Sequence, residues 1–165
     1  MYKYDSQLFV PLKKFNHAKF KRFLKGYKPT NRSGWNKPKG ALWTSTYKPR
    51  SKYKSGWAEF VACEDMDWQL SKALLIIISK KARLCIINCF EDLNNLKEYT
   101  DADKKRFVSD DLDFSKLVKD YDLVHLTEEG QEHTRFSSPG LYGWDCECSV
   151  ILNPEVIESY KTIDI

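Results

Sequence analysis

Apolar and polar positions change period several times along the chain, and each change marks an element. Residues 2–10 (YKYDSQLFV) read as a first strand that ends at Pro11. In residues 14–25, Phe15, Phe20, Phe23 and Leu24 recur near helical spacing, which predicts a short basic helix. Residues 27–40 are rich in Gly, Pro, Asn and Lys and predict a long exposed loop. Residues 41–47 (ALWTSTY) predict a strand of aromatic and β-branched residues, followed by a second basic loop over 47–54. Ser55 suits a helix N-cap, with Trp57, Phe60 and Val61 on the buried face.

Residues 73–79 and 82–88 are nearly continuous apolar runs around Lys80-Lys81, the pattern of a hairpin of two central strands. Short amphipathic helices are expected at 91–99 and 113–119, and a strand at 121–126. The stretch 128–140 is polar and turn-rich, with room for another short strand. In 141–152 (LYGWDCECSVIL), Trp144, Cys146, Cys148, Val150 and Leu152 fall on one strand face, and Asp145, Glu147 and Ser149 on the other. Asn153, Pro154 and Glu155 predict the start of a final helix. Several strands mixed with short helices, without an internal repeat, predict an α+β fold with a mixed, mostly antiparallel β core. Its 165 residues suit a single domain over 1–165.

Composition narrows the classes. An apolar content of 42% is too high for a disordered chain. The longest apolar run, 73–78, is far short of the about 20 residues of a bilayer span. The opening MYKYDSQLF lacks the apolar stretch of a signal peptide, so a soluble cytoplasmic protein is expected. Five cysteines exclude a fully paired disulfide framework. Cys85, Cys89, Cys146 and Cys148 lie in apolar stretches, where thiols behave as small hydrophobes. There is no CxxC, and His17, His125 and His133 form no HxxxH pattern, so no metal is expected.

The mild net charge of +4 hides a polarised chain. Residues 1–54 hold fifteen Lys and Arg against one acid, Asp5, whereas residues 55–165 hold twelve against twenty-two. Basic residues interleaved with Tyr and Trp suit phosphates, on a nucleic acid or a dinucleotide. Equally, the acidic part can fold against the basic part and cancel its field.

Two groups of residues carry candidate chemistry. Asp145 and Glu147 would stand about 7 Å apart on one strand face, facing either a cleft or water. Trp35, Trp43, Tyr47 and Trp57 lie in or beside the glycine- and lysine-rich loops, with Thr44, Ser45 and Thr46 on the strand between. Aromatics offer flat stacking surfaces, hydroxyls offer donors and acceptors, and lysines attract phosphates, which together suit a nucleotide-like ligand. The alternative is that each Trp simply fills the core.

The segment NKPKGALWTST (36–46), a GWAEF helix (56–60) and LYGWDCE (141–147) before an apolar strand and Asn-Pro resemble a motif set of small bacterial and phage proteins. The likeness touches most of the chain and is dense at 36–60 and 121–157. The arrangement is also similar to that of mono-ADP-ribosyltransferases, in which a first strand offers Arg or His, a second carries hydroxyls and a late strand carries Glu. Here Trp43-Thr44-Ser45-Thr46 would be the second element and Asp145-Cys146-Glu147 the third, with Lys3 standing where Arg or His is usual. Lysine attracts a phosphate but lacks the planar fork of Arg.

The resemblance implies NAD as substrate and transfer of ADP-ribose to a macromolecular acceptor, protein or nucleic acid, in a bacterial or phage-infected cell. It implies Glu147 as the carboxylate beside the sugar and Asp145 as the group that orients the acceptor or takes its proton. Ser45 and Thr46 would support the ribose or Glu147; Trp43, Tyr47 or Trp57 would hold nicotinamide or adenine, and Lys3 or Arg50 the diphosphate. Two other readings fit the same residues: a non-catalytic inhibitor or adaptor that binds a host or defence protein, and a nucleic-acid-binding module built on residues 13–54.

Overall fold

The computed structural model describes residues 4–11, 16–31, 36–66, 71–96, 99, 112–138 and 140–165. Seven strands form one sheet: β1 Ser6–Phe9, β2 Leu42–Thr46, β3 Lys72–Ile78, β4 Leu84–Ile87, β5 Leu123–Leu126, β6 Cys148–Ile151 and β7 Ile157–Asp164. Their order is β4-β5-β6-β2-β1-β3-β7. Every pair is antiparallel except β4 with β5. Among the described residues, five short helices accompany the strands: α1 His17–Lys25, α2 Gly56–Cys63, α3 Phe90–Asn94, α4 Phe114–Asp120 and α5 Glu128–Thr134. The mixed, mostly antiparallel architecture expected from the sequence is therefore present.

Local signals fix the helix starts. Asn16 accepts the Lys19 N–H at 2.9 Å, Ser55 the Ala58 N–H at 3.2 Å and Thr127 the Gly130 N–H at 2.9 Å. The Asp113 carboxylate takes the Ser115 and Lys116 N–H groups. Each cap satisfies backbone donors that no earlier carbonyl can reach.

Both faces of the sheet are covered. On one, Leu42, Leu74, Ile76, Leu123 and Ile151 pack with Phe20 of α1 and with Tyr27. On the other, Ile87, Val124, Leu126 and Val150 pack with Leu93, Phe114, Leu117 and Trp144. A smaller cluster joins Leu8, Val10 and Ala73 to Ala58 of α2. The Phe114 and Leu117 side chains are fully buried, each contributing about 1.5–3 kcal/mol.

Four sequence-based expectations change. The runs at 73–79 and 82–88 are strands but not a hairpin: β3 pairs with β1 and β7, whereas β4 is an edge strand beside β5. Four strands lie between them in the sheet order. A flat sheet would set them about 24 Å apart at the usual strand spacing, beyond the roughly 20–22 Å reach of six extended residues. The sheet must therefore curl, and Ile78, Leu84 and Leu123 accordingly meet in one cluster. Residues 128–134 form α5 rather than turns, because Thr127 caps them. The strand expected over 141–152 contracts to β6. The final helix is a single 3-10 turn, Pro154–Val156, capped by Asn153, after which β7 pairs with β3 along its length.

Candidate functional site

The second and sixth strands pair at Leu42–Ile151, Trp43–Val150 and Thr44–Ser149. At each end of this short ladder a side chain takes over. At one end the Tyr27 hydroxyl accepts the Leu42 N–H at 2.6 Å and donates to the Ile151 carbonyl. Burial holds the Tyr27 pKa well above the ordinary tyrosine value, against the smaller opposing pull of the Leu42 N–H.

At the other end sits the Glu147 carboxylate, in a residue only 5% exposed. The Ser45 hydroxyl donates to Glu147 Oε2 at 2.6 Å, and the Thr46 hydroxyl to Oε1 at 2.8 Å. The Thr46 N–H points between the two oxygens, at 3.1 and 3.2 Å. Three donors on one buried carboxylate satisfy an anion that burial alone would destabilise.

Helix α2 adds to this. Its Trp57 N–H donates to Ser45 Oγ at 3.3 Å, so the positive end of the helix faces the serine that holds the carboxylate. Gly56 forms the nearest wall: a Cβ there would stand 3.4 Å from Glu147 Oε2 and 3.5 Å from Ser45 Oγ. Lys48 is bonded to Glu128. Burial works against its ammonium, but the carboxylates of Glu128, Glu147 and Glu59 outweigh it and raise its pKa above the ordinary lysine value.

A strip of polar side chains continues from Glu147 across the sheet. The Thr44 hydroxyl donates to Gln7 Oε1 at 2.9 Å, and Gln7 Nε2 reaches the Tyr4 carbonyl at 3.0 Å and Thr46 Oγ1 at 3.4 Å. His125 Nδ1 lies 2.7 Å from Ser149 Oγ and 3.7 Å from Glu147 Oε1, with its ring 3.9 Å from that of Tyr4. His125, Gln7 and Ser149 are fully buried. Sequence pattern alone does not mark His125, Gln7 or Tyr4 as site residues; the one signal for His125 and Gln7 is a polar residue among apolar strand positions, as in LVHL and SQLF.

The predicted residues divide. Glu147, Ser45 and Thr46 meet directly, Thr44 joins through Gln7, and Trp57 contributes its backbone N–H. Asp145 does not share a strand face with Glu147, because residues 145–147 lie ahead of the sixth strand, which begins at Cys148. Instead, half-exposed Asp145 forms an ion pair with Lys37 at 3.3 Å. Trp43 meets Trp144 edge to face at 4.8 Å and packs in the cluster under α3 and α4. Trp57 stacks on Phe60 at 5.5 Å and, with Tyr47, packs against the Leu8 cluster. All three aromatics thus line the core rather than standing clear of it. Lys3 and Trp35 lie outside the described residues.

The motifs quoted above also find a structural cause. Asn36 adopts a left-handed backbone (φ 50°), which Asn tolerates better than most residues. Its carbonyl accepts the Trp144 indole N–H at 2.9 Å. Its side chain takes the Leu112 N–H at 2.6 Å and donates to the Gly140 carbonyl at 2.9 Å. With the Lys37–Asp145 pair, NKPKG and GWD are fastened to each other. Lys37–Asp145 and Lys48–Glu128 also join the basic part of the chain to the acidic part.

Burial, reinforced by the charges of Glu147 and Asp145, pushes the Cys146 thiol up to about 12. Burial, with a smaller contribution from Asp92, does the same to Cys85. Such thiols are poor nucleophiles and poor metal ligands. Among the described residues, no group of three or more His, Cys, Asp and Glu side chains could hold a metal ion, and no helix is long and apolar enough to cross a membrane. No protein-family model, curated protein or solved structure matches the chain.

Proposed function

We propose that this chain has an ADP-ribosyltransferase-like fold, binds NAD and transfers ADP-ribose to a macromolecular acceptor. The observation that carries the reading is the 2.6 Å hydrogen bond from Ser45 to Glu147, between the hydroxyl strand and the acidic segment of the resemblance. The second strand, which carries the hydroxyls, also lies between the first strand and the sixth, and Glu147 directly precedes the sixth.

In the reaction the bond between nicotinamide and ribose C1′ breaks and its electron pair leaves with nicotinamide. The sugar passes through an oxocarbenium-like state, and a lone pair on the acceptor forms the new bond to C1′. Glu147, held by Ser45 and Thr46, is a fixed negative charge that stabilises the cationic sugar without having to reorganise. Lys48 supplies a cation beside it for the diphosphate, alongside the Lys3 and Arg50 roles that the resemblance implies. Half-exposed Asp145 is the group that orients the acceptor or takes its proton. The resemblance implies Trp43, Tyr47 and Trp57 as the holders of the rings, which requires side chains that pack against the core to open toward the ligand.

One observation favours a second reading, a non-catalytic adaptor: Glu147 is almost fully buried and saturated by three donors, as a purely structural carboxylate would be. Calorimetry with NAD and incubation with labelled NAD and cell lysate separate the two. The transferase reading expects saturable NAD binding, and label transfer by wild type that Glu147→Gln abolishes. Equal transfer by both proteins overturns the role of Glu147, and absence of NAD binding overturns the whole reading. A stoichiometric partner captured equally well by Glu147→Gln, without NAD binding, is the adaptor's result.

A further inference from the structure

Of the basic residues crowded into the first third of the chain, several are spoken for. Lys37 pairs with Asp145 and Lys48 with Glu128, Lys52 sits over the Tyr53 ring, and Lys54 donates to the Pro49 carbonyl. Helix α1 differs. Its sequence, HAKFKRFLK, carries Lys19, Lys21, Arg22 and Lys25, all exposed, and among the described residues no ion pair or side-chain hydrogen bond engages any of them. At 3.6 residues per turn these four cover an arc of roughly 160° on the outer side of the helix. Lys19–Arg22, Arg22–Lys25 and Lys21–Lys25 are like-charge neighbours at i,i+3 or i,i+4, which weaken a helix on their own. Its first turn holds no acid. The two cations of the last turn complement the helix dipole, but that does not explain Lys19 and Lys21.

The opposite side of α1 is already in use. Phe20 is 6% exposed and packs against Tyr160, and Leu24 lies on the same cluster. Apart from Phe23, the helix therefore has no apolar side chain left to insert into a bilayer, and its outer face is dominated by charge. Beside it runs a groove of about 450 Å³ to which α1 contributes His17, Lys21 and Leu24 and which Glu158 also lines, while Phe23, one turn after Lys19, is 38% exposed on the other side of the helix. Three lysines and an arginine on one open helix face, with an exposed aromatic one turn after Lys19, match the repeating phosphates and stacked bases of a single-stranded nucleic acid.

We infer that the outer face of α1 is a docking surface for the phosphate backbone of single-stranded nucleic acid. The inference is independent of the Glu147 site. The test is fluorescence anisotropy of labelled oligo-dT and oligo-U across a salt series. The proteins compared are wild type, the quadruple variant Lys19→Gln/Lys21→Gln/Arg22→Gln/Lys25→Gln, a Lys52→Gln/Lys54→Gln control and Glu147→Gln. Glutamine keeps helix propensity, and circular dichroism checks that the fold persists.

Wild type should bind at low salt, with log affinity against log salt falling with a slope of about −3 if four phosphates are neutralised. The quadruple variant should bind at least about tenfold more weakly with a slope near zero, while the control and Glu147→Gln match wild type. Absence of oligonucleotide binding, binding that survives the quadruple substitution, or α1-dependent binding only to phosphatidylserine vesicles overturns the inference. A failure of NAD binding leaves it untouched.

Discussion

Replacing Glu147 by glutamine changes the charge of the site while preserving its shape, so it isolates what the anion contributes. The best arrangement puts the amide oxygen at the Oε1 position, where it still accepts from the Thr46 hydroxyl and N–H. The amide nitrogen then faces Ser45 Oγ, which can turn its own hydrogen to the Glu147 carbonyl, already 3.0 Å away. The hydroxyls of Ser45 and Thr46 and the Thr46 N–H keep partners, but the bonds at Ser45 and Thr46 are no longer charge-assisted and one amide N–H is left without a partner. Hydrogen bonds to an ion contribute about 1.5–3 kcal/mol and neutral ones about 0.5–1.5. The two together therefore predict a loss of about 2 kcal/mol. Glu147→Ala instead leaves three buried donors facing a cavity, and about 4 kcal/mol is expected. Urea unfolding followed by circular dichroism measures both, with m-values unchanged. A glutamine variant as stable as wild type would refute the reasoning, since it would mean that the buried charge costs as much as its bonds return.

Three further outcomes follow from the same structure. Tyr27→Phe removes the hydroxyl that bridges Leu42 and Ile151, leaving two buried backbone groups unpaired; a loss of about 2–4 kcal/mol is expected in the same urea assay. Gly130→Ala should destabilise by about 3 kcal/mol or more, because the new Cβ would lie 2.1 Å from the Ile87 carbonyl oxygen and α5 cannot keep its seat; near-wild-type thermal stability would contradict this packing. The Arg83 guanidinium bonded to Asp122 lowers that carboxyl's pKa to about 2, against the desolvation that opposes it. Since the folded-state value is depressed, this stabilisation is fully present above about pH 4 and disappears as pH falls toward 2. Arg83→Gln should flatten that part of the acid-unfolding profile.

The likeness between chain and fold is uneven for physical reasons. Helix starts are local: a cap such as Ser55, Asn153 or Asp113 bonds to an N–H two or three residues on, so its signal sits within one turn of sequence. The apolar runs at 73–79 and 82–88 announced strands for the same reason, since burial on both faces demands continuous apolar side chains. Their partners were not written there. A strand apolar on both faces can pair with several others, and the short Lys-Lys link suggested a hairpin that the curl of the sheet replaced.

The candidate site shows the same division. Sequence alone singled out Glu147, Ser45 and Thr46, because an acid and a run of hydroxyls are conspicuous in apolar surroundings. It could not tell that Asp145 leaves the strand to meet Lys37, nor that His125 and Gln7 close on the same polar strip. Those positions depend on strand register between segments as much as 101 to 108 residues apart, and register is a property of the assembled sheet rather than of any one stretch. Which residues carry chemistry was local information. Which of them meet was decided by the tertiary structure, where the second and sixth strands cease to pair and a carboxylate fills the gap.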